Sequence, residues 1–240
     1  MINNLLATLF ENIGKIFSDA AYLKLILEGF KITLKISFGA SLIGLILGTL
    51  VALVKISAET GKDKKWLKIP KVVCDVYVTV VRGTPMALQL FLMSFVIFAI
   101  RGFPQIVIAI IAFGINSGAY VSENIRAGIM SVDKGQTEAG RALGLSGART
   151  LVGIVIPQGI KNVIPAIGNE LIALVKETSI VSMIGMVDLT QASKIIGSGQ
   201  NLASYLAPMV VVALCYLAIV YFLTFVVKVI ERRLRKGDKS

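Results

Sequence analysis

The chain alternates between long uncharged apolar runs and shorter segments that gather most of its charge. A helix needs roughly 20 apolar residues to cross about 30 Å of hydrocarbon. Positions 36–54 supply 19 without a charge, preceded by Lys31 and Lys35, and positions 103–122 supply 20. Positions 83–100 supply 18 and extend backwards through 72–81, with Asp75 and Arg82 embedded. Positions 162–175 are apolar except for Glu170, but the stretch is short and interrupted by Pro165 and Gly168. The last run, 195–227, holds 33 uncharged residues, of which 203–227 is the expected bilayer part. The pattern predicts an all-α integral membrane protein with five transmembrane helices, the fourth being the least regular.

Shorter periodicities refine this outline. Leu5, Leu6, Leu9, Ile13, Ile16 and Phe17 recur at helical spacing, which predicts an amphipathic segment over 1–28 lying on the outer surface. No basic stretch precedes Leu5 and no small-x-small site follows, which argues against a cleaved signal peptide. The membrane domain then spans 29–232, and 233–240 forms a basic tail. Gly44, Gly48 and Ala52, spaced by four, predict close helix packing. The Phe91/Phe95/Phe98 stripe reads as core or lipid-facing surface.

Composition agrees and excludes other classes. Hydrophobic residues make up 55% of the chain, before its 22 glycines are counted. A soluble domain reaches only about 45–50% with glycine included. The mean hydropathy is +0.80. There is no histidine, so imidazole bases and histidine-ligated metals are ruled out, and no metal site is expected. Cys74 and Cys215 lie inside apolar runs without CxxC spacing and read as small buried hydrophobes. No Walker-type loop is present, and no nucleophile, base and orienting group fall together, so neither ATP binding nor enzymatic chemistry is expected on this chain.

The net charge of +11 changes meaning once it is located. The first connection carries Lys55, Lys62, Lys64, Lys65, Lys68 and Lys71. The third carries Arg126, Lys134, Arg141, Arg149 and Lys161. The tail carries Lys228, Arg232, Arg233, Arg235, Lys236 and Lys239. Seventeen of 25 cations thus lie on one side of a five-helix chain, which predicts that side as cytoplasmic. The amino terminus is then outside and the carboxyl terminus cytoplasmic. The basic balance reports topology and contact with membrane lipid, and nucleic acid is not an expected partner.

The connection 124–161 is long and patterned. Asp133 stands as an N-cap with Gln136 three residues on, as in a capping box, and Gly144 and Gly147 read as stop signals. The helix between them is too short to be stable alone in water. Ala139, Gly140 and Ala142 predict a low surface, flanked by Glu138 and Arg141, that a soluble partner can approach.

Glu138-Ala139-Gly140, then Gly144 and Ile154-Val155-Ile156-Pro157, resemble the permease signature of binding-protein-dependent ABC importers, with Gly140 in place of alanine and Ile156 in place of leucine. Four further stretches resemble the polar amino acid subfamily (histidine, arginine, glutamine and glutamate type). These are Arg82-Gly83-Thr84-Pro85, the stretch from Tyr120 to Ile129, Gly135-Gln136, and Lys176-Glu177-Thr178-Ser179. The resemblance covers about 23–233. It implies the type I ABC importer permease fold in a bacterial inner membrane, with a second permease subunit, identical or homologous. It also implies a cytoplasmic ATPase dimer carrying ATP and magnesium, an extracellular solute-binding protein and an amino acid substrate. The loop helix, near 130–150, would be the coupling helix, with Gly135, Glu138, Ala139, Arg141, Leu143 and Gly144 against the ATPase. A permease for another solute, such as methionine or an opine, is the alternative. An ion-coupled secondary transporter is a more distant one, because it needs no docking helix.

The embedded polar residues are the candidate substrate ligands. Arg82 lies about 20 Å in from Ile69 and Asn116 about 18 Å in from Pro104, so two depth counts converge on one layer. Thr84-Pro85 predicts a helix broken at mid-depth, where transporters expose backbone to a solute. Arg82, Thr84, Gln89, Asn116, Ser117, Glu123, Asn169 and Glu170 are the expected substrate-binding set. Either Arg82 pairs permanently with Glu123, Glu170 or Asp75, or it receives the substrate carboxylate. Two embedded acids beside one arginine favour a cationic amino acid such as arginine. If Glu123 is taken by Arg126, glutamine fits equally well.

Overall fold

The computed structural model describes residues 2–60, 65–99, 102–199, 202 and 204–235, which are helical with no β-strand among them. Helix α1 (Ile2–Ser18) is followed at once by α2 (Ala20–Thr60), so residues 20–28 belong to the long helix and the amphipathic segment is α1 alone. Ile16 is fully buried, with Leu9 and Ile13 packed beside it, whereas Leu6, Phe10 and Phe17 are exposed. Helix α2 has 41 residues, about 60 Å of helix, twice what the hydrocarbon requires.

The centre of the bundle is α5 (Gln105–Met130). In its most apolar stretch 61% is buried inside the chain, against 17% for the spans Gly147–Ile184 and Leu206–Leu234. Helix α2 lies along α5 on a seam of small residues. A Cβ on Gly44 would stand 2.8 Å from the Ser117 hydroxyl oxygen, and one on Gly48 would stand 2.7 Å from Val121. Ala52 is wholly buried with Ile56, Ile129 and Val155. The close packing predicted from the spacing of four is therefore present.

Helix α3 (Lys68–Gly83) and α4 (Met86–Leu92, continued by a π-helical turn over Met93–Ile97) are two arms of one broken element, bent by 107°. Four helices are long and apolar enough to span, and the bent pair brings the total to five among the described residues. In the aromatic stripe, Phe91 packs against the core while Phe95 is exposed.

One expectation about the spans fails. Pro165 and Gly168 do not interrupt the fourth span, because α8 (Ile156–Glu177) runs through both. It is clamped on either side: Val163 lies against Gly128 of α5, and Gly168 lies against Val227. Within the uncharged run 195–227, the expected bilayer part, 203–227, falls largely in α10 (Leu206–Leu234). The start of the run is the end of a separate helix, α9 (Leu189–Gly197). Asp188 starts α9, accepting from the amides of Thr190 (3.0 Å) and Gln191 (2.9 Å) and from the Tyr216 hydroxyl (3.1 Å). Burial pushes this carboxyl above its ordinary value, against the pull of those donors.

Candidate functional site

The site begins with the chemistry of the break. Pro85 has no amide hydrogen for the Val81 carbonyl four residues back. The Gln89 side chain supplies the missing donor, its Nε2 lying 2.8 Å from the Val81 oxygen and 2.7 Å from Thr84 Oγ1. Thr84 Oγ1 in turn donates to the Val80 carbonyl at 2.8 Å. Asn116, buried in α5, donates to Gln89 Oε1 at 3.0 Å. Gln89 and Asn116, expected to face a substrate, are thus engaged in satisfying a broken helix and tying it to α5. Beside the elbow, Val80, Leu88, Leu92, Ile97 and Ala112 line an apolar cavity of about 240 Å³.

Arg82 is the penultimate residue of α3 and is exposed. Among the described residues it forms no ion pair, so the permanent pairing with Glu123, Glu170 or Asp75 is not realised. Its guanidinium carbon instead sits over the Tyr120 ring, 5.1 Å from the centroid.

Two of the acids expected to balance Arg82, Glu123 and Asp75, have other partners. Lys55 Nζ reaches Glu123 at 2.7 Å and Asp75 at 3.1 Å, Lys71 pairs with Asp75 at 2.7 Å, and Arg126 pairs with Glu123 at 3.0 Å. Lys55 is 7% exposed: it is a buried tie between α2, α3 and α5 rather than a loop cation. Sequence reading missed this cluster because Lys55 stands at the end of an apolar run, where a cation ordinarily signals topology. Tyr120 was missed as a partner of Arg82 for a similar reason. Its one available signal was its place on α5, one turn from Asn116 and less than one turn from Glu123.

The polar face of α8 completes the layer. Asn162, Asn169 and Lys176, seven residues apart, are exposed, and Glu170 is half-buried. Ser117, wholly buried in α5, lies beside the Glu170 carboxylate. Glu170 forms no ion pair among the described residues. A spanning helix cannot present such a face to hydrocarbon without large desolvation losses. Thr84, in the break two residues after Arg82, and Asn169, beside Glu170 on α8, are also exposed.

At one end of the bundle α6 (Lys134–Ala142) starts as expected, Asp133 accepting from the Gly135 amide at 2.6 Å. The reciprocal arm of the capping box is not formed, because Gln136 Oε1 accepts from Gln158 Nε2 at 3.1 Å and links α6 to α8. Gly144 ends the segment with φ of +82°, where a glycine is favoured. Gly147 is not a stop signal: Ser146 caps a new turn, α7 (Gly147–Thr150), which leads into a π-helical turn over Leu151–Val155. Gly140 is the one buried residue of α6, turned inward against Thr150 and Ile154. It therefore does not contribute to the low outer surface expected of it. The outward face carries Gly135, Glu138, Ala139, Arg141, Gly144 and Leu143, which is 81% exposed. Arg141 steadies this end by donating to the Leu145 carbonyl at 2.8 Å.

Residues 44–236 match the family described as binding-protein-dependent transport system inner membrane component. The chain belongs to that family. It is 43% identical over 215 residues to the arginine transport system permease protein of Bacillus subtilis (strain 168), a match covering 89% of this chain and 94% of that one. It is 40% identical over 211 residues to a putative glutamine transport system permease protein of Rickettsia bellii (strain RML369-C), covering 87% and 92%. A crystal structure of an amino acid ABC transporter with histidines superposes with a TM-score of 0.80 at 38% identity, covering 91% of this chain and 98% of that one. As an inner membrane component of such a system, the chain is a multi-pass transport permease. The broken element, the α5 and α8 polar residues and α6 all lie within the matched residues, and α1 lies outside them.

Proposed function

We propose that this permease carries an L-α-amino acid through the inner membrane, powered by a cytoplasmic ATPase dimer that holds ATP and magnesium and docks on α6. The observation that carries the reading is Arg82, a guanidinium at mid-span beside a helix break with no carboxylate partner among the described residues. It is a receptor for the substrate carboxylate. Glu170, also without an ion pair there, receives the ammonium group. With Glu123 engaged by Lys55 and Arg126, Arg82 and Glu170 stand without an ion pair among the described residues and match the two charges of an amino acid head group. Arginine and glutamine then fit equally well at the head group, in keeping with the named activities of the relatives.

The polar face of α8 supports a second permease subunit, identical or homologous, closing a path against it. An external solute-binding protein delivers the substrate at the opposite end from α6. The distribution of basic residues supports a cytoplasmic α6 end and carboxyl terminus and an external amino terminus. Rigid-body rocking driven through α6 exposes the layer to each side in turn.

The test is ATPase activity of the complex, purified with its co-expressed ATPase and reconstituted in liposomes, with arginine and glutamine as ligands. Stimulation by at least one amino acid, abolished in Arg82→Ala and Glu170→Gln, is the expected result. Unchanged stimulation in both variants overturns the assignment. Cysteines introduced at Asn4 and Lys62 should label from outside and inside respectively.

A further inference from the structure

We propose that Tyr120 is a positioning residue that presents Arg82 to a carboxylate, an inference resting on the reading of Arg82 as the carboxylate receptor. A guanidinium at bilayer depth has to be supported by something. An acidic partner would neutralise it and compete with any incoming carboxylate. The Tyr120 ring, 5.1 Å from the guanidinium carbon, stabilises the charge through its π face without cancelling it. It also takes none of the five N–H donors, and none is bonded to a protein acceptor among the described residues.

The contact is held on both sides. Further into the break, the Asn116–Gln89 hydrogen bond ties α4 to α5 at 3.0 Å. On α3, the Tyr77 hydroxyl donates to the Ile115 carbonyl. Towards the α6 end, Lys55 joins Asp75 of α3 to Glu123 of α5. The spacing of Arg82 and Tyr120 is therefore set by two cross-links between α3 and α5 and by a third that ties α4, the other arm of the broken element, to α5. On the same two helices, Asp75 and Glu123 are engaged by lysine and arginine and do not compete for the guanidinium. A lysine at position 82 would lack the planar fork that binds a carboxylate with two bonds.

The experiment uses the intact permease–ATPase complex in detergent. It measures direct binding of L-arginine, L-glutamine and L-argininamide, whose carboxylate is blocked, together with the ATPase rate at saturating amino acid. Tyr120→Leu should weaken arginine and glutamine binding roughly two- to thirty-fold, the span a cation–π contact covers. It should also reduce the preference for arginine over argininamide and leave the saturated ATPase rate within about twofold. Tyr120→Phe, which keeps the ring, should bind like wild type. In an Arg82→Gln background, Tyr120→Leu should change affinity less than about twofold, since the two residues act as one unit. If Tyr120→Leu does not assemble, Tyr120→Met against Tyr120→Phe carries the same comparison. Weakened binding in Arg82→Gln with none in Tyr120→Leu overturns the inference alone, as does a Tyr120→Phe defect as large as that of Tyr120→Leu. Unchanged binding in Arg82→Gln overturns the reading of Arg82 and the inference with it.

Discussion

Replacing Gly140 by alanine separates two accounts of the docking helix by the sign of its effect. Were Gly140 part of an outward surface, alanine would stabilise α6 by about 0.5–1 kcal/mol through helix propensity. The structure places it inward. The added Cβ would lie 2.7 Å from Thr150 Cγ2, 3.0 Å from Ile154 Cδ1 and 3.1 Å from Thr150 Oγ1. Thr150 is wholly buried and its hydroxyl is fixed on the Ser146 carbonyl at 3.0 Å, so it has no room to turn away. Overpacking of this kind costs about 1–3 kcal/mol, which outweighs the propensity gain. The expected result is a lower thermal midpoint for the detergent-solubilised complex and a several-fold weaker affinity for the ATPase, as α6 is pushed off its seat. Thr150→Ser removes the nearest atom while keeping the hydroxyl, so Gly140→Ala/Thr150→Ser should recover most of both losses. A midpoint that stays level or rises in Gly140→Ala, or a double variant no better than the single one, would refute the inward packing argument.

Other expectations follow from the same geometry. Leu143→Ala should leave the permease midpoint unchanged but weaken ATPase co-purification, since a Leu side chain 81% exposed here is worth roughly 1.5–3 kcal/mol once covered. Gln89→Leu strands the Val81 carbonyl at the break and should cost about 1–3 kcal/mol in thermal unfolding. It should do so without changing the ratio of arginine to glutamine affinity, as befits a brace rather than a ligand. Lys55→Met leaves Glu123 and Asp75 with one cation each and should lower the midpoint by an amount corresponding to about 1–3 kcal/mol, part of which Lys55→Met/Glu123→Gln restores. Asp188 is raised by burial, so the folded state holds its proton more tightly than the unfolded chain. The stability it contributes is present at acid pH and falls as pH rises above the ordinary aspartate range. The midpoint difference between wild type and Asp188→Asn, scanned upward from pH 4, should therefore shift against the wild type.

What the sequence determined by itself was whatever local chemistry dictates. Uncharged runs long enough to cross hydrocarbon gave the membrane class. Pro85 after Thr84 gave the break, because proline lacks an amide for the helix and pushes the residue before it into extended dihedrals. Asp133 and Gly144 gave the start and end of α6, since a cap and a positive φ are properties of single residues. Tertiary structure decided where partners compete. Pro165 resembles Pro85 in type, yet α8 stays whole because α5 and α10 hold it on both sides. Glu123 and Glu170 look alike in sequence, but only Glu123 meets Lys55, a residue 68 positions away. Gly140 looked like a docking surface because composition reports size and not direction; its direction depends on Thr150 and Ile154 folding back beneath α6. Arg82 was recognisable as a costly charge at mid-span. That an aromatic ring and not a carboxylate meets it follows only from the packing of α3 on α5.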